Sequence, residues 1–276
     1  MKRVIVATIL IVMSILSSSG KSSEEGKTYA LIVTGINKNA KDRQAKDKAI
    51  VNLRTFLLDS TSMKSDSLAM LANSRSLIQN ESQVSTAENL KARIVAFAAK
   101  AKTEDRFLFY YTGQANIADD KLRLNLPGDD ITHEQLAQWL SRIKASSMLI
   151  VLDCPGAGLV VETLAGPGRI VIAGCKAEQP YSTRFSDYFV PALADTQSDN
   201  NKDGKVSLLE AFTLASKKLD DFYRRMNLLK TETPILEDNG DGKTSDQPWK
   251  HEQNNSDGLA ASKFFFADQN QKAALL

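Results

Sequence analysis

Short runs of apolar, mostly β-branched or aromatic residues alternate along this chain with longer stretches in which apolar residues recur every three or four positions. The short runs are Thr28–Ile36 (TYALIVTGI), Ser67–Leu71 (SLAML), Phe107–Thr112 (FLFYYT), Met148–Leu152 (MLIVL) and Arg169–Ala173 (RIVIA). Runs that are apolar without alternation belong to strands covered on both faces, the habit of a parallel sheet. Between them, Ala45, Ala49, Leu53 and Leu57 share one face of a helix over 42–58. Leu90, Ile94 and Ala98 share one over 86–100, which Thr86 can cap. Leu122–Leu126 followed by Pro127-Gly128 reads as a hairpin arm and its turn. Thr132 and Gln135 form a capping box for a helix ending near Lys144. Two more helices follow, over 185–194 and 207–230, the second with Leu208, Phe212, Ala215, Leu219 and Phe222 on its core face. Strands alternating with amphipathic helices predict an α/β three-layer sandwich, a mostly parallel central sheet flanked by helices. No repeat and no linker divides it, so one domain is expected over 28–240. A polar tail follows over 241–276, with Phe264-Phe265-Phe266 as its docking segment.

The amino terminus has a different character. Lys2 and Arg3 precede the apolar stretch Val4–Leu16, and Ser17-Ser18-Ser19-Gly20 follows. That is the anatomy of a signal peptide over 1–20, and the apolar stretch is short against the ~20 residues a bilayer span needs. Residues 21–27 read as a flexible lead-in. The mature chain is expected to be secreted or periplasmic and not membrane-spanning. Composition narrows the chemistry. Lys+Arg number 35 against Asp+Glu 33, a net charge of +2, without the basic excess of a nucleic-acid-binding protein. Two Cys exclude a disulfide framework or a Cys-rich zinc module, and two His leave little imidazole for catalysis.

In open α/β sheets the working groups lie at the carboxyl ends of strands. Three such ends are Thr112-Gly113-Gln114, Asp153-Cys154-Pro155 and Gly174-Cys175. The segments around them, FLFYYTGQA, MLIVLDCPGAG and RIVIAGCKAE, resemble the caspase/legumain-like cysteine peptidase clan. KLRLNLPGDDIT, LAGPGRIVIAGCKAE and DNNKDGKVSLLEAF are similar to a secreted bacterial subgroup of it. The resemblance covers roughly 28–240. It implies a caspase-like sandwich, a general-base His just after the glycine of the first strand end, and a Cys nucleophile two positions after the Asp of the second. Gln114 and Pro155 stand at those positions, with Ala115 where a Gly is usual. An amide takes up no proton near pH 7 and proline carries no thiol, so neither half of a Cys–His mechanism is present. The implied function is an exported pseudopeptidase, catalytically inactive, that binds a protein or peptide partner. Cys154 is one residue early, and alternation along a strand turns it away from the Gln114 side. It is the fallback nucleophile of the alternative reading, an active cysteine endopeptidase. His133, in its capping box, reads as a surface residue, and His251 lies in the polar tail. Cys154 and Cys175 each follow a strand. Adjacent parallel strands lie ~4.8 Å apart, close to the ~4.4–6.8 Å between the Cα atoms of a disulfide. The two cysteines are therefore either a disulfide in an oxidising compartment or two buried free thiols.

Residues 199–210, DNNKDGKVSLLE, match the calcium-loop pattern D-x-[DN]-x-[DN]-G-x5-E. Asp199, Asn201 and Asp203 would supply side-chain oxygens, Lys205 its carbonyl, Ser207 a water-mediated contact and Glu210 two oxygens, the crowd of hard donors calcium takes. Ser207 and Glu210 are equally a capping box for the helix that follows. A calcium-stabilised EF-hand-like loop fits the pseudopeptidase, and also a third reading, a calcium-dependent structural protein of the cell envelope. Glu237–Gly242 (EDNGDG) echoes the first half of such a loop. Its twelfth position falls on Pro248, which cannot coordinate through its side chain, so the stretch reads as a turn that could share an ion.

Overall fold

A computed structural model describes residues 26–78, 82–254 and 257–266. Residues 1–20, read from the sequence as a signal peptide, lie outside them. In chain order the elements are β1 (Thr28–Thr34), α1 (Ala40–Asp59), β2 (Leu68–Ala72), α2 (Arg75–Ile78), β3 (Gln83–Val84), α3 (Ala87–Ala98) and β4 (Arg106–Thr112). Then come β5 (Ala115–Ala118), β6 (Lys121–Leu124), β7 (Ile131–Thr132), α4 (His133–Leu140), β8 (Ser147–Asp153), α5 (Val161–Leu164) and β9 (Arg169–Ala173). The chain closes with α6 (Phe185–Ala192), α7 (Leu208–Arg225), β10 (Ile235–Glu237), α8 (His251–Asn254) and α9 (Leu259–Ser262).

Seven strands form the central sheet in the order β10-β9-β8-β4-β1-β2-β3. Every pairing in it is parallel except β10 on β9. A separate three-stranded antiparallel sheet, β5-β6-β7, grows from the end of β4. The apolar runs are buried because each sheet face has its own cover. Tyr111, Leu152 and Val171 pack with Leu90, Leu136 and Leu164 of α3, α4 and α5. Tyr110, Val151 and Ile172 pack with Leu53, Phe189 and Phe212 of α1, α6 and α7 on the opposite side. This is the expected α/β sandwich. Among the described residues no helix is long and apolar enough to cross a membrane.

The caps behave as the side chains dictate. Thr132 Oγ1 accepts from Gln135 N–H at 3.3 Å while Gln135 Oε1 accepts from Thr132 N–H at 2.9 Å. Most boundaries shift by one or two residues, and two helix ends fall well short of expectation. The helix expected to reach Lys144 ends at Leu140, and α7 stops at Arg225 rather than Lys230, where Asn227 adopts φ +51° and breaks the helical path. Within the polar tail, Phe264 is buried in the core beside α7, and its carbonyl accepts from Leu208 N–H at 2.9 Å.

One sequence reading is corrected, and of two alternatives left open for the cysteines one is found. His133 is buried, not a surface residue, because the first turn of α4 folds beneath β6 and β7; its Nδ1 has no hydrogen-bond partner. Cys154 and Cys175 are free thiols, not a disulfide. Their strands are parallel neighbours, with Leu152 level with Ala173. Yet Cys175 Sγ is turned onto backbone oxygens, donating to the carbonyl of Cys154 at 3.2 Å.

Candidate functional site

The carboxyl edge of the sheet brings together the ends of β1, β4, β8 and β9. β4 and β8 run level, so Thr112 sits opposite Asp153. Asp153 faces the α1–α6 side, and its carboxylate is the hub of a buried polar cluster. Its Oδ2 accepts from Lys46 Nζ at 2.8 Å, from Thr112 Oγ1 at 3.1 Å, from Ser186 N–H at 3.1 Å, and from Ser186 Oγ. Tyr110 completes the chain with a 2.7 Å hydrogen bond to Ser186 Oγ. Lys46 also donates to the Thr183 carbonyl at 2.8 Å. Asp153 is 0% exposed and Lys46 2%. Burial favours the neutral form of each, but the mutual contact outweighs it. Asp153 is held below the usual carboxylate range, and Lys46 is raised above the usual lysine value. Gly174 permits this packing, since a Cβ there would meet Asp153 Oδ1 at 2.6 Å.

The positions that the resemblance marks for catalysis carry other roles. Gln114 is half-buried, and its Nε2 donates to Ser182 Oγ at 2.9 Å and reaches Asp42 Oδ2 at 3.4 Å. Its carbonyl accepts from Tyr111 Oη at 2.7 Å, which ties the β4 turn to the sheet. Pro155 is buried at the start of the turn after β8, where Gly156 takes φ +66°. Cys154 is 0% exposed and packs in the core on the α3–α4 face, opposite to Asp153. Burial, with smaller contributions from Cys175 and Asp153, pushes its thiol well above the ordinary value. Cys175 is pushed up to about 12, chiefly by burial. Two protonated thiols buried in apolar packing are poor nucleophiles. Native protein is therefore expected to leave both unlabelled by iodoacetamide over a period in which urea-unfolded protein labels at both. Rapid native labelling at Cys154, read by peptide mass spectrometry, would contradict this placement.

Three exposed apolar side chains stand on segments near Gln114. Ile36 follows β1 and is 40% exposed, Ile117 in β5 is 46% exposed, and Tyr181, between β9 and α6, is 59% exposed. They share one rim. Gln114 N–H donates to the Ile36 carbonyl at 2.8 Å, Ser182 binds the Gln114 side chain, and Ile117 lies over Gly156, where an added Cβ would meet its Cδ1 at 3.0 Å.

The 199–210 loop lies away from this edge, between α6 and α7. Asp199 accepts from Asp203 N–H (3.1 Å) and Gly204 N–H (3.0 Å), Asn201 Oδ1 from Asp203 N–H (2.9 Å), and Asp203 Oδ1 from Lys205 N–H (2.9 Å). Gly204 supplies the turn at φ +83°. Glu210 is fully engaged: Oε1 accepts from Asn200 and Asn201 N–H, while Oε2 accepts from Ser207 N–H and Oγ. The capping box expected from the sequence is present. The donor set suits a hard cation, and binding one through Glu210 means competing with these bonds.

Lys46, Thr183, Ser186 and Glu232 are site residues that the sequence reading missed. Glu232 is fully buried, accepting from Tyr223 Oη at 2.8 Å and from Arg184 N–H at 2.7 Å. No protein-family model matches this chain, and no curated protein matches it. The resemblance to the peptidase clan rests on the strand-end segments themselves.

Proposed function

We propose that this chain is a catalytically silent, caspase/legumain-like domain that is exported and binds a protein or peptide segment along the carboxyl edge of its sheet without cutting it. One observation carries the reading. The segments meeting at this edge expose Ile36, Ile117 and Tyr181 near an amide, Gln114, while Cys154 points into the opposite core. An apolar rim with a few polar groups is a binding surface. A thiolate and a base within hydrogen-bond reach are what amide cleavage needs. Beneath the rim, Asp153 is already neutralised by Lys46, so a cationic partner side chain finds no free charge there. Calcium in the 199–210 loop would stiffen the start of α7 in this reading.

The test uses an array of extended peptides of varied sequence, read by binding and by mass spectrometry for cleavage. Retention of a subset of intact peptides is expected, weakened at least about tenfold, ~1.4 kcal/mol, by Tyr181→Ser combined with Ile117→Ser and unchanged by Cys154→Ala. Cleavage lost in Cys154→Ala would replace this reading with the active endopeptidase. An array that retains nothing would replace it with the structural envelope protein.

A further inference from the structure

The last strand of the sheet ends on a carboxylate that the protein only half satisfies. Glu237 closes β10 at the sheet edge and is 0% exposed. Its Oε1 accepts from Gly240 N–H, and the Gly242 N–H also acts on the carboxylate, but among the described residues Oε2 has no partner at hydrogen-bond geometry. Buried carboxylate oxygens without a donor are rare and destabilising, and each calls for an explanation.

Two more carboxylates converge on it. Asp241 comes from the following turn, and Asp257, 3% exposed, from the segment entering α9. Ligand oxygens of Glu237, Asp241 and Asp257 all lie within 4.8 Å of one another. Asp241 Oδ1 accepts from Lys243 N–H at 2.8 Å and Asp257 Oδ1 from Asp238 N–H at 3.1 Å, so each side chain is oriented through one of its oxygens. The turn passes Gly240 and Gly242 at φ +83° and +75°. The charges acting on Glu237 and Asp257 add to the difficulty. Burial first, then neighbouring aspartates, raise both groups, Asp257 to about 6.

We propose that Glu237, Asp241 and Asp257 form a binding site for a divalent hard cation, separate from the 199–210 loop. Three carboxylates with no sulfur or imidazole select calcium or magnesium, which complete their shells with water. The third carboxylate comes from across the fold rather than from the twelfth position of a loop, where this chain has Pro248. The bound cation fastens the segment that carries Phe264 into the core to the edge strand. Asp238 already helps, accepting from Gly258 N–H and Ala261 N–H at 2.8 Å each.

The test is isothermal titration of chelator-stripped full chain with calcium, and separately with magnesium, alongside thermal melting with and without the ion. The variants are Glu237→Gln, Asp241→Asn and, for the other loop, Asp203→Asn. Asp241 is exposed, so Asp241→Asn leaves the fold intact and isolates the ligand effect. The expected result is a binding event weakened at least about tenfold by Asp241→Asn and by Glu237→Gln, unaffected by Asp203→Asn, with a cation-dependent rise in melting temperature lost in the same two variants. A second event lost only in Asp203→Asn would belong to the 199–210 loop and leave this site standing. No heat and no thermal shift at millimolar calcium or magnesium would overturn the proposal. So would binding that only Asp203→Asn removes.

Discussion

Replacing Lys46 by methionine is expected to lower the stability of the domain by ~3–5 kcal/mol, the usual penalty for leaving one member of a buried ion pair uncompensated. Nothing else near Asp153 carries positive charge into its hydrogen-bond shell; its remaining donors are Thr112 and Ser186. Asp153→Asn should also destabilise, since it leaves a buried ammonium hydrogen-bonded to the Thr183 oxygens and facing the charges of Asp187 and Asp42 only at longer range. The double replacement Lys46→Met with Asp153→Asn should recover most of the loss, because both charges leave together and the asparagine oxygen can still accept from Thr112 and Ser186. Urea unfolding followed by fluorescence of Trp139 and Trp249 reads all four proteins. The pH dependence adds a check. Asp153 is depressed, so its contribution is complete above its unfolded value and lost as pH falls through the folded one. Lys46 is raised, so its contribution is complete below its unfolded value and lost as pH rises through the folded one. In Lys46→Met the counter-charge is gone and burial acts on Asp153, raising its carboxyl, so the loss relative to wild type should be full above neutral pH and shrink as pH falls and the unpaired carboxyl takes up a proton. A loss below ~1 kcal/mol at pH 8 would mean that the pair is weak and the edge is free to accept a foreign cation.

The strands were legible because they are covered on both faces, so burial alone writes them as apolar runs; β4, with Phe107 to Thr112 all buried, is the clearest. Where length replaces burial as the constraint, legibility fails. The antiparallel β10 has three residues and lies behind Pro234, too short for any periodicity to announce. The strand ends could be located, but not their partners. Asp153 was visible as the residue closing β8. Lys46 was not, although its signal was present: it lies in phase with Ala49, Ile50, Leu53 and Leu57, a lysine on the buried stripe of α1. A charged residue in register with an apolar face has to meet an opposite charge inside, and that inference was available from spacing alone. His133 misled in the reverse direction, because a capping box marks where a helix starts and says nothing about what covers it. Asp257 joins Glu237 only through folding at long range, which no local pattern encodes.

Stability is also expected to fall as pH rises from about 5 to about 8, in a step that Glu232→Gln removes. Burial, reinforced by the nearby charge of Asp153, raises Glu232 to about 7. Its unfolded value is near the ordinary ~4.3. Between these values the folded chain holds a proton that the unfolded chain has released, so the slope of stability against pH is negative there. The contribution is complete below the unfolded value and gone once pH passes the folded one. With ~1.36 kcal/mol per pKa unit, the step approaches about 3 kcal/mol. Glutamine carries no titrating proton. It can turn its oxygen to Arg184 N–H and its amide to the Tyr223 hydroxyl, keeping both contacts. Denaturant midpoints measured at half-unit pH intervals should therefore descend through pH 7 in wild type, while Glu232→Gln keeps only the shallower fall that Asp257, raised to about 6, contributes at the acid end of the range, with the variant the more stable protein at pH 8. Two parallel curves would show that Glu232 titrates alike in both states. The step matters for the edge because Arg184, held by Glu232, directly follows Thr183, whose carbonyl anchors Lys46. Ionising Glu232 places a second buried negative charge beside Asp153, with Lys46 the cation they then share. Loss of stability above neutral pH should thus begin in the 181–184 segment that carries Tyr181, and hydrogen exchange there should accelerate with pH more than the intrinsic amide rate requires.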